Sequence, residues 1–278
     1  MPAPSRPRSP SRLSGRAPTA GVVRVAWAMA FALAGNSAAQ EPAGIAPPPV
    51  ILDLNLPAFQ LEVRSADSVL HRFAVAIGAP WYPTPVGEFE IAQVIWNPVW
   101  VPPPSPWAGK DTVTPPGPGT PMLKVKFQVK GLYYIHGTPS DSSIGHAASH
   151  GCIRMRATDA MTLARLLQHR TGAAITDAEV DSLAAQSLPT RTVSLPIAIP
   201  IRIRYDAAEV TGDTLTIYPD VYARNRGRME AILTEVLASA GVDTLRVRAD
   251  SLSAIAARAK RTPVRTPLER ILLPPVPD

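Results

Sequence analysis

From Val50 onward, apolar and polar positions alternate with the period of two that marks strands. VILDLNL opens the pattern, FQLEVR follows with Gln60, Glu62 and Arg64 set against Leu61 and Val63, and VLHRFAVAI runs up to Gly78. Asn55, Pro57 and the cluster Ser65, Ala66, Asp67, Ser68 supply the turns. LKVKFQV, residues 123–129, alternates again, and LYYIHG carries the chain to His136. After Met155 the period changes. In ATDAMTLARLLQHRTG the apolar Met161, Leu163, Ala164, Leu166 and Leu167 predict a helix, with Thr158 or Asp159 as its cap and Gly172 past its end. TDAEVDSLAAQ sets Thr176 and Glu179 at capping-box spacing and predicts a second helix. Strands return at SLPIAIPIRIRY and DTLTIYP. The last segment predicts a helix with Met229, Ile232, Leu233, Val236 and Leu237 on one face, then TLRVRA, a short helix near DSLSAIAARA and a proline-rich tail. The pattern is that of a mainly β fold with flanking helices, ending in a small α/β C-terminal extension over residues 223–278.

One region interrupts it. Between Pro80 and Pro121 stand 12 of the chain's 32 prolines, including VPPPSP (101–106) and PPGPG (115–119). Proline removes backbone donors, so this stretch is neither central strand nor helix. Such a composition suits a disordered linker. Trp96, Trp100 and Trp107 interleave with the prolines, however, and their apolar mass favours an ordered flap, residues 97–121, packed over a cleft.

The start of the chain changes how its charge is read. Residues 1–39 hold five arginines (Arg6, Arg8, Arg12, Arg16 and Arg24) and no acidic residue, and the apolar run VAWAMAFALAG extends from Val25 to Gly35. That is the basic and apolar order of a signal peptide, with Ser37 and Ala39 as the small residues before a cut at Gln40. The apolar run is shorter than the roughly 20 residues a membrane-spanning helix requires. The expected destination is the periplasm or cell envelope, with residues 40–49 (QEPAGIAPPP) as a linker into a domain from 50 to 222. Without those five arginines, 23 basic side chains face 22 acidic ones, so the sequence pI of 9.8 mostly reflects the leader. No nucleic-acid partner is predicted. Only residues 223–278, with 10 basic and 6 acidic side chains, keep a basic excess.

The chain has a single cysteine, Cys152, in SHGCIRM. In an oxidising compartment it cannot form an internal disulfide, which leaves burial, pairing with another chain, or chemistry. His136, His146 and His150 lie within 17 residues of it. A thiol attacks as thiolate, and Arg154 and the histidines supply a positive field and a base. Gly151 lets the backbone beside the thiol approach a substrate and offer amide donors to an oxyanion. The chemistry suited to this set is acyl transfer from an amide or ester. Zinc is the competing use of the same side chains, but their spacing matches no common structural zinc pattern, and neither metal nor cofactor is predicted. Spacing alone does not choose His136 over His150 as the base.

IHGTPSDSSIGHAASHGCIRM resembles the signature of the L,D-transpeptidase catalytic domain, or YkuD domain: a histidine some sixteen residues ahead of Ser or Thr, His, Gly, Cys, an aliphatic residue and Arg or Asn. PTPVGEFEI, NPVWVPP, GPGTPM, LPIAIPIRIRYDAAEV and PDVYARNR extend the resemblance over about residues 50–226. It implies an L,D-transpeptidase-like β-sandwich in which Cys152 is the nucleophile and His136 the general base. The Gly137 carbonyl would orient the His136 ring, although family members often carry Ser at that place. Ser149, His150 and Gly151 would support the site and its oxyanion. Arg154 would steady the site and bind substrate carboxylate, with Trp100 and Trp107 of the flap also against substrate. His146 matches no motif position and is expected to be structural. The implied reaction is two-step acyl transfer on peptidoglycan stem peptides in cell wall cross-linking or remodelling, with an amine as acceptor. It also implies a carbapenem adduct at Cys152. Hydrolysis by the same site, as a carboxypeptidase or endopeptidase, and an inactive wall-binding module are the alternatives. Nothing is recognised from residue 227 on.

Overall fold

The computed structural model describes residues 49–274 except residue 188. The expected signal peptide and nearly all of the linker lie outside the described residues. The strands are β1 (Ile51–Asn55), β2 (Gln60–Ser65), β3 (Ser68–Ala74), β4 (Ile77–Gly78), β5 (Gly87–Trp96), β6 (Val125–Lys130), β7 (Tyr133–Thr138), β8 (Ala147–Ser149), β9 (Ile153–Arg156), β10 (Arg191–Arg204), β11 (Ala208–Thr211), β12 (Thr214–Ile217) and β13 (Val264–Pro267). The helices are α1 (Ala157–Thr171), α2 (Asp177–Ala185), α3 (Met229–Ser239) and α4 (Ala249–Arg258). The fold is mainly β with flanking helices, as the pattern predicts.

Eight strands form one mixed sheet in the order β3-β2-β1-β10-β5-β6-β7-β9. Among its described pairings, β1–β10 and β7–β9 are parallel and the rest antiparallel. The alternation seen in the sequence decides which side is buried: in β2, Leu61 and Val63 point inward while Gln60, Glu62 and Arg64 remain partly exposed. β10 runs through the middle of the sheet despite two prolines: Pro196 falls where the register against β5 shifts between Ser194 and Ile199, whereas Pro200 stands in register opposite Glu90. On the buried face, Trp96, Phe127, Ile135, Ile153 and Met155 join one apolar core with Leu163 and Leu167 of α1 and Val180 and Leu183 of α2.

α1 leaves β9 with no connecting loop, and so its start differs from expectation. Its N-cap is Arg156, without a side-chain cap bond, while Thr158 and Asp159 lie inside the first turn. Asp159 instead sits 3.7 Å from the Arg156 guanidinium. α2 has the predicted capping box, in which Thr176 and Glu179 bond reciprocally. A second apolar cluster unites β11, β12, α3 and α4 around Leu215, Ile217, Leu233, Leu237 and Leu252. Its sheet, β11-β12-β13, draws strands from both sides of residue 223. β13 was concealed in the apparent proline tail: TPVRTP carries a proline at each end of an edge strand, where prolines are tolerated. TLRVRA contains a 3-10 turn, Thr244–Arg246, and meets residues 271–273 through a bridge between Val247 and Leu272 and through the Arg246 guanidinium, which donates to the Leu273 carbonyl.

Candidate active site

The site is built by pleat and register. Side chains on a strand alternate between faces, so where Val125, Phe127, Ile135, Ile153 and Met155 enter the core, Lys126, Tyr134, His136 and Arg154 point the other way. Lys126 is the cross-strand partner of His136, and His136 that of Arg154. Cys152 lies two residues before Arg154, on the same side. These residues line one cavity of about 790 Å³. The opposite wall is the proline-rich segment, through Trp100, Pro102, Pro103, Pro104 and Trp107.

That segment is tied down rather than strung out. Trp100 and Thr114 exchange two backbone hydrogen bonds of 2.9 Å, closing the loop between them, and residues 106–108 form a 3-10 turn. Trp107 stacks on His150 with centroids 3.9 Å apart and planes 8° from parallel. His150 also meets Tyr82, 4.8 Å away and tilted. His150 therefore joins the turn before the thiol to the wall over it. His146 is exposed, bonds its own loop at Ile144, and does not line the cavity.

The turn carrying the thiol is held from several directions. Ser149 is buried; its hydroxyl donates to the Cys152 carbonyl at 2.5 Å and accepts the Gly151 N–H at 3.0 Å. The Gly151 amide is thereby committed to shaping the turn. Gly151 itself has φ +103°, and a Cβ there would stand 2.6 Å from the Tyr133 ring, so the position accepts only glycine. Its carbonyl accepts from Thr84 Oγ1 at 2.9 Å. Thr84 is fixed in turn: its N–H donates to the Tyr222 hydroxyl at 3.1 Å, and that hydroxyl donates to the Gly78 carbonyl at 2.9 Å. Thr84 and Tyr222 belong to PTPVGEFEI and PDVYARNR, stretches whose resemblance is visible in the sequence but whose support of Gly151 is not.

His136 is buried, and its Nδ1 lies 2.8 Å from the Gly137 carbonyl. A carbonyl can only accept, so Nδ1 carries the proton and Nε2 keeps a free lone pair. A Cβ at Gly137 would meet its nearest neighbours at 3.5 Å, an ordinary contact, so the position has room for a small side chain. Burial pulls the His136 pKa down to about 4, with the charges of Arg154 and Lys126 adding to the fall and the Gly137 carbonyl opposing it. The ring is a neutral base at neutral pH. Burial pushes the Cys152 thiol up, against the Tyr134 amide and the positive charges of Arg154 and Lys126, which draw it down. At rest the pair is thiol and imidazole, not thiolate and imidazolium. The Arg154 backbone is clasped to Ala76 by bonds of 2.9 and 2.8 Å, which fixes where its side chain leaves the sheet.

Of the residues singled out in the sequence, Cys152, His136, Ser149, His150, Arg154, Trp100 and Trp107 line this cavity, and Gly137 and Gly151 bond to residues that do; His146 lies in an exposed loop and Trp96 in the core. Thr84, Lys126, Tyr134 and Tyr222 were missed. Lys126 and Tyr134 could be found only by knowing the strand register, which one sequence does not reveal.

The model of the L,D-transpeptidase catalytic domain, YkuD, matches residues 49–182. Among curated proteins, YkuD of Bacillus licheniformis, which carries the name of an L,D-transpeptidase, is 30% identical over 129 residues, covering 46% of this chain and 66% of that protein. The match thus spans just under two thirds of that relative's length. Among solved structures, an L,D-transpeptidase from Mycobacterium smegmatis aligns at 21% identity and TM-score 0.38, covering 56% of this chain and 58% of that one. The L,D-transpeptidase LdtMt1, solved in complex with imipenem, aligns at 19% identity and TM-score 0.36, with the same coverage. Over residues 49–182 the chain belongs to the YkuD family of L,D-transpeptidase catalytic domains.

Proposed function

We propose that the chain is a cysteine-dependent L,D-transpeptidase acting on peptidoglycan stem peptides. The observation that carries this reading is the gathering of Cys152, His136 and Arg154 on one sheet face, open to one cavity. His136 Nε2 takes the thiol proton as the sulfur attacks the carbonyl of the L-centre of the third-position diamino acid. With the Gly151 amide committed to Ser149, the amides left beside the sulfur to stabilise an oxyanion are those of Cys152 itself and of Tyr134. The tetrahedral intermediate collapses by breaking the C–N bond, and the imidazolium returns its proton to the departing D-alanine amine. The thioester then passes its acyl group to an acceptor amine, whose proton travels through His136 back to the sulfur. One difficult step becomes two easier ones. Such a substrate lies in the cell envelope, the destination expected of the arginine-rich start.

Intact-mass analysis of the chain incubated with a tetrapeptide stem is the test. The expected adduct is the donor less its terminal D-alanine, on Cys152, and absent from Cys152→Ser. A carbapenem should add its whole mass at the same sulfur. Continued D-alanine release by Cys152→Ser, or activity abolished by a chelator and restored by zinc, would overturn the proposal.

A further inference from the structure

The strands that carry the site present a second cation to which the reaction above assigns no contact with the substrate. Lys126, His136 and Arg154 stand in one row across β6, β7 and β9. Adjacent strands lie about 4.8 Å apart, so the two ends of the row leave the sheet roughly 10 Å apart. Both Lys126 and Arg154 are half-buried and line the cavity. Among the described residues neither forms an ion pair. The Lys126 ammonium lies 4.9 Å from the centre of the Tyr134 ring, which steers it along the cavity face instead. Among the described residues that line the cavity there is no aspartate or glutamate. Two partly desolvated cations facing one cavity without a counter-charge repel each other and have lost solvation, a cost that an anionic ligand relieves.

We propose that Lys126 and Arg154 together hold two carboxylates of a dianionic acyl donor. The site thereby selects stem peptides whose third-position diamino acid keeps its side-chain carboxylate free over those in which that group is an amide. This inference rests on the transpeptidase reading and names the donor class of the same site. The geometry divides the work: a guanidinium fork grips one carboxylate by two bonds, and the compact ammonium, at the other end of the row, takes the second as a point charge. An amide carries no charge for Lys126 to attract. It would leave the ammonium in the cavity uncompensated.

The test uses two tetrapeptide donors that differ only in that carboxylate or amide, with D-alanine release followed as kcat/KM. The wild type should prefer the free acid by at least about tenfold, the size expected of one charge-assisted contact. Lys126→Met should bring the ratio to within about twofold of one, and Lys126→Arg should restore most of it. A wild type that handles both donors equally would overturn the clamp while leaving the transpeptidase reading intact. So would a Lys126→Met variant that slows both donors by one factor, since that would assign the lysine to the thiolate. Release from neither donor would bring down the parent reading as well.

Discussion

The two faces of β6, β7 and β9 are built from neighbouring residues and have opposite energetics. On one face Val125, Phe127, Ile135, Ile153 and Met155 lie beneath α1, each contributing roughly 1.5–3 kcal/mol by leaving water. On the other, Lys126, His136 and Arg154 are partly or fully desolvated with no acidic partner among the described residues of the cavity. The first face stabilises the fold. The second takes stability from it, and stays in place because Lys126 and Arg154 have a core neighbour on either side along the strand and His136 has Ile135 before it. A functional site here is the reverse of a core rather than an addition to its edge.

The largest effects should come from exchanging damage between the faces. His136→Ala should slow acylation of Cys152 by at least about a hundredfold, the size of a general-base contribution, with the melting temperature unchanged or raised. Ile135→Ala, one residue away and facing the core, should cost about 2–5 kcal/mol of stability while the folded fraction keeps its acylation rate. Single-turnover acylation and chemical denaturation of the two variants check both halves. A nearly silent His136→Ala beside a damaging His150→Ala would break the comparison, because His150 belongs to the turn and the proline-rich wall instead.

How much of this could be read from the sequence differs between elements. Alternation in FQLEVR and LKVKFQV gave the buried face of each strand correctly, because one side chain in two must meet the core whatever the neighbours are. The capping box of α2 was legible because Thr176 and Glu179 bond within one turn. The start of α1 was misjudged, because a helix that springs directly from a strand has no room for a side-chain cap. Cys152 and the His136 spacing were visible through the family signature. Lys126 was not, since only the pairing of β6 with β7 sets it beside His136. Thr84 reaches Gly151 across 67 residues and Tyr222 reaches Thr84 across 138, contacts that no local pattern encodes. β13 escaped notice because its prolines imitate a tail.

The cost of the cavity face should also be measurable as pH dependence. The His136 pKa falls from 6.5 to about 4 on folding. Between those values the unfolded chain binds a proton that the folded chain refuses, so this residue's effect is absent above 6.5 and stability is lost as pH drops towards 4. The full loss is roughly 3 kcal/mol at about 1.4 kcal/mol per pH unit. His136→Gln should flatten that part of the curve. Denaturation at several pH values and the ring signals of His136 by NMR check it. Titration of the ring near 6.5 would show that the face is not desolvated and would blunt the contrast with the core.

The smallest predicted effect concerns the wall opposite the sheet, where neither face's logic applies. Trp107 is neither core nor reactive; its stack on His150 is what joins the proline-rich wall to the turn that carries Cys152. An aromatic stack of this kind contributes about 0.5–1.5 kcal/mol. That is too little to decide whether the chain folds, and prolines on either side already limit the freedom the segment would regain. It is enough to change how often the wall stands away from the sulfur. A thioester exposed to solvent loses its acyl group to water, while one kept covered waits for an amine. Trp107→Ala should therefore leave acylation of Cys152 within about threefold of the wild type but lower the ratio of transferred to hydrolysed product by about two- to tenfold, the factor equivalent to losing one stack. Replacing residues 101–119 with a short Gly/Ser linker should push the ratio further the same way. Product analysis by mass spectrometry with a fixed concentration of acceptor amine reads it directly. An unchanged ratio in both variants would mean that the segment only connects β5 to β6, and that the choice between amine and water is made on the sheet face itself.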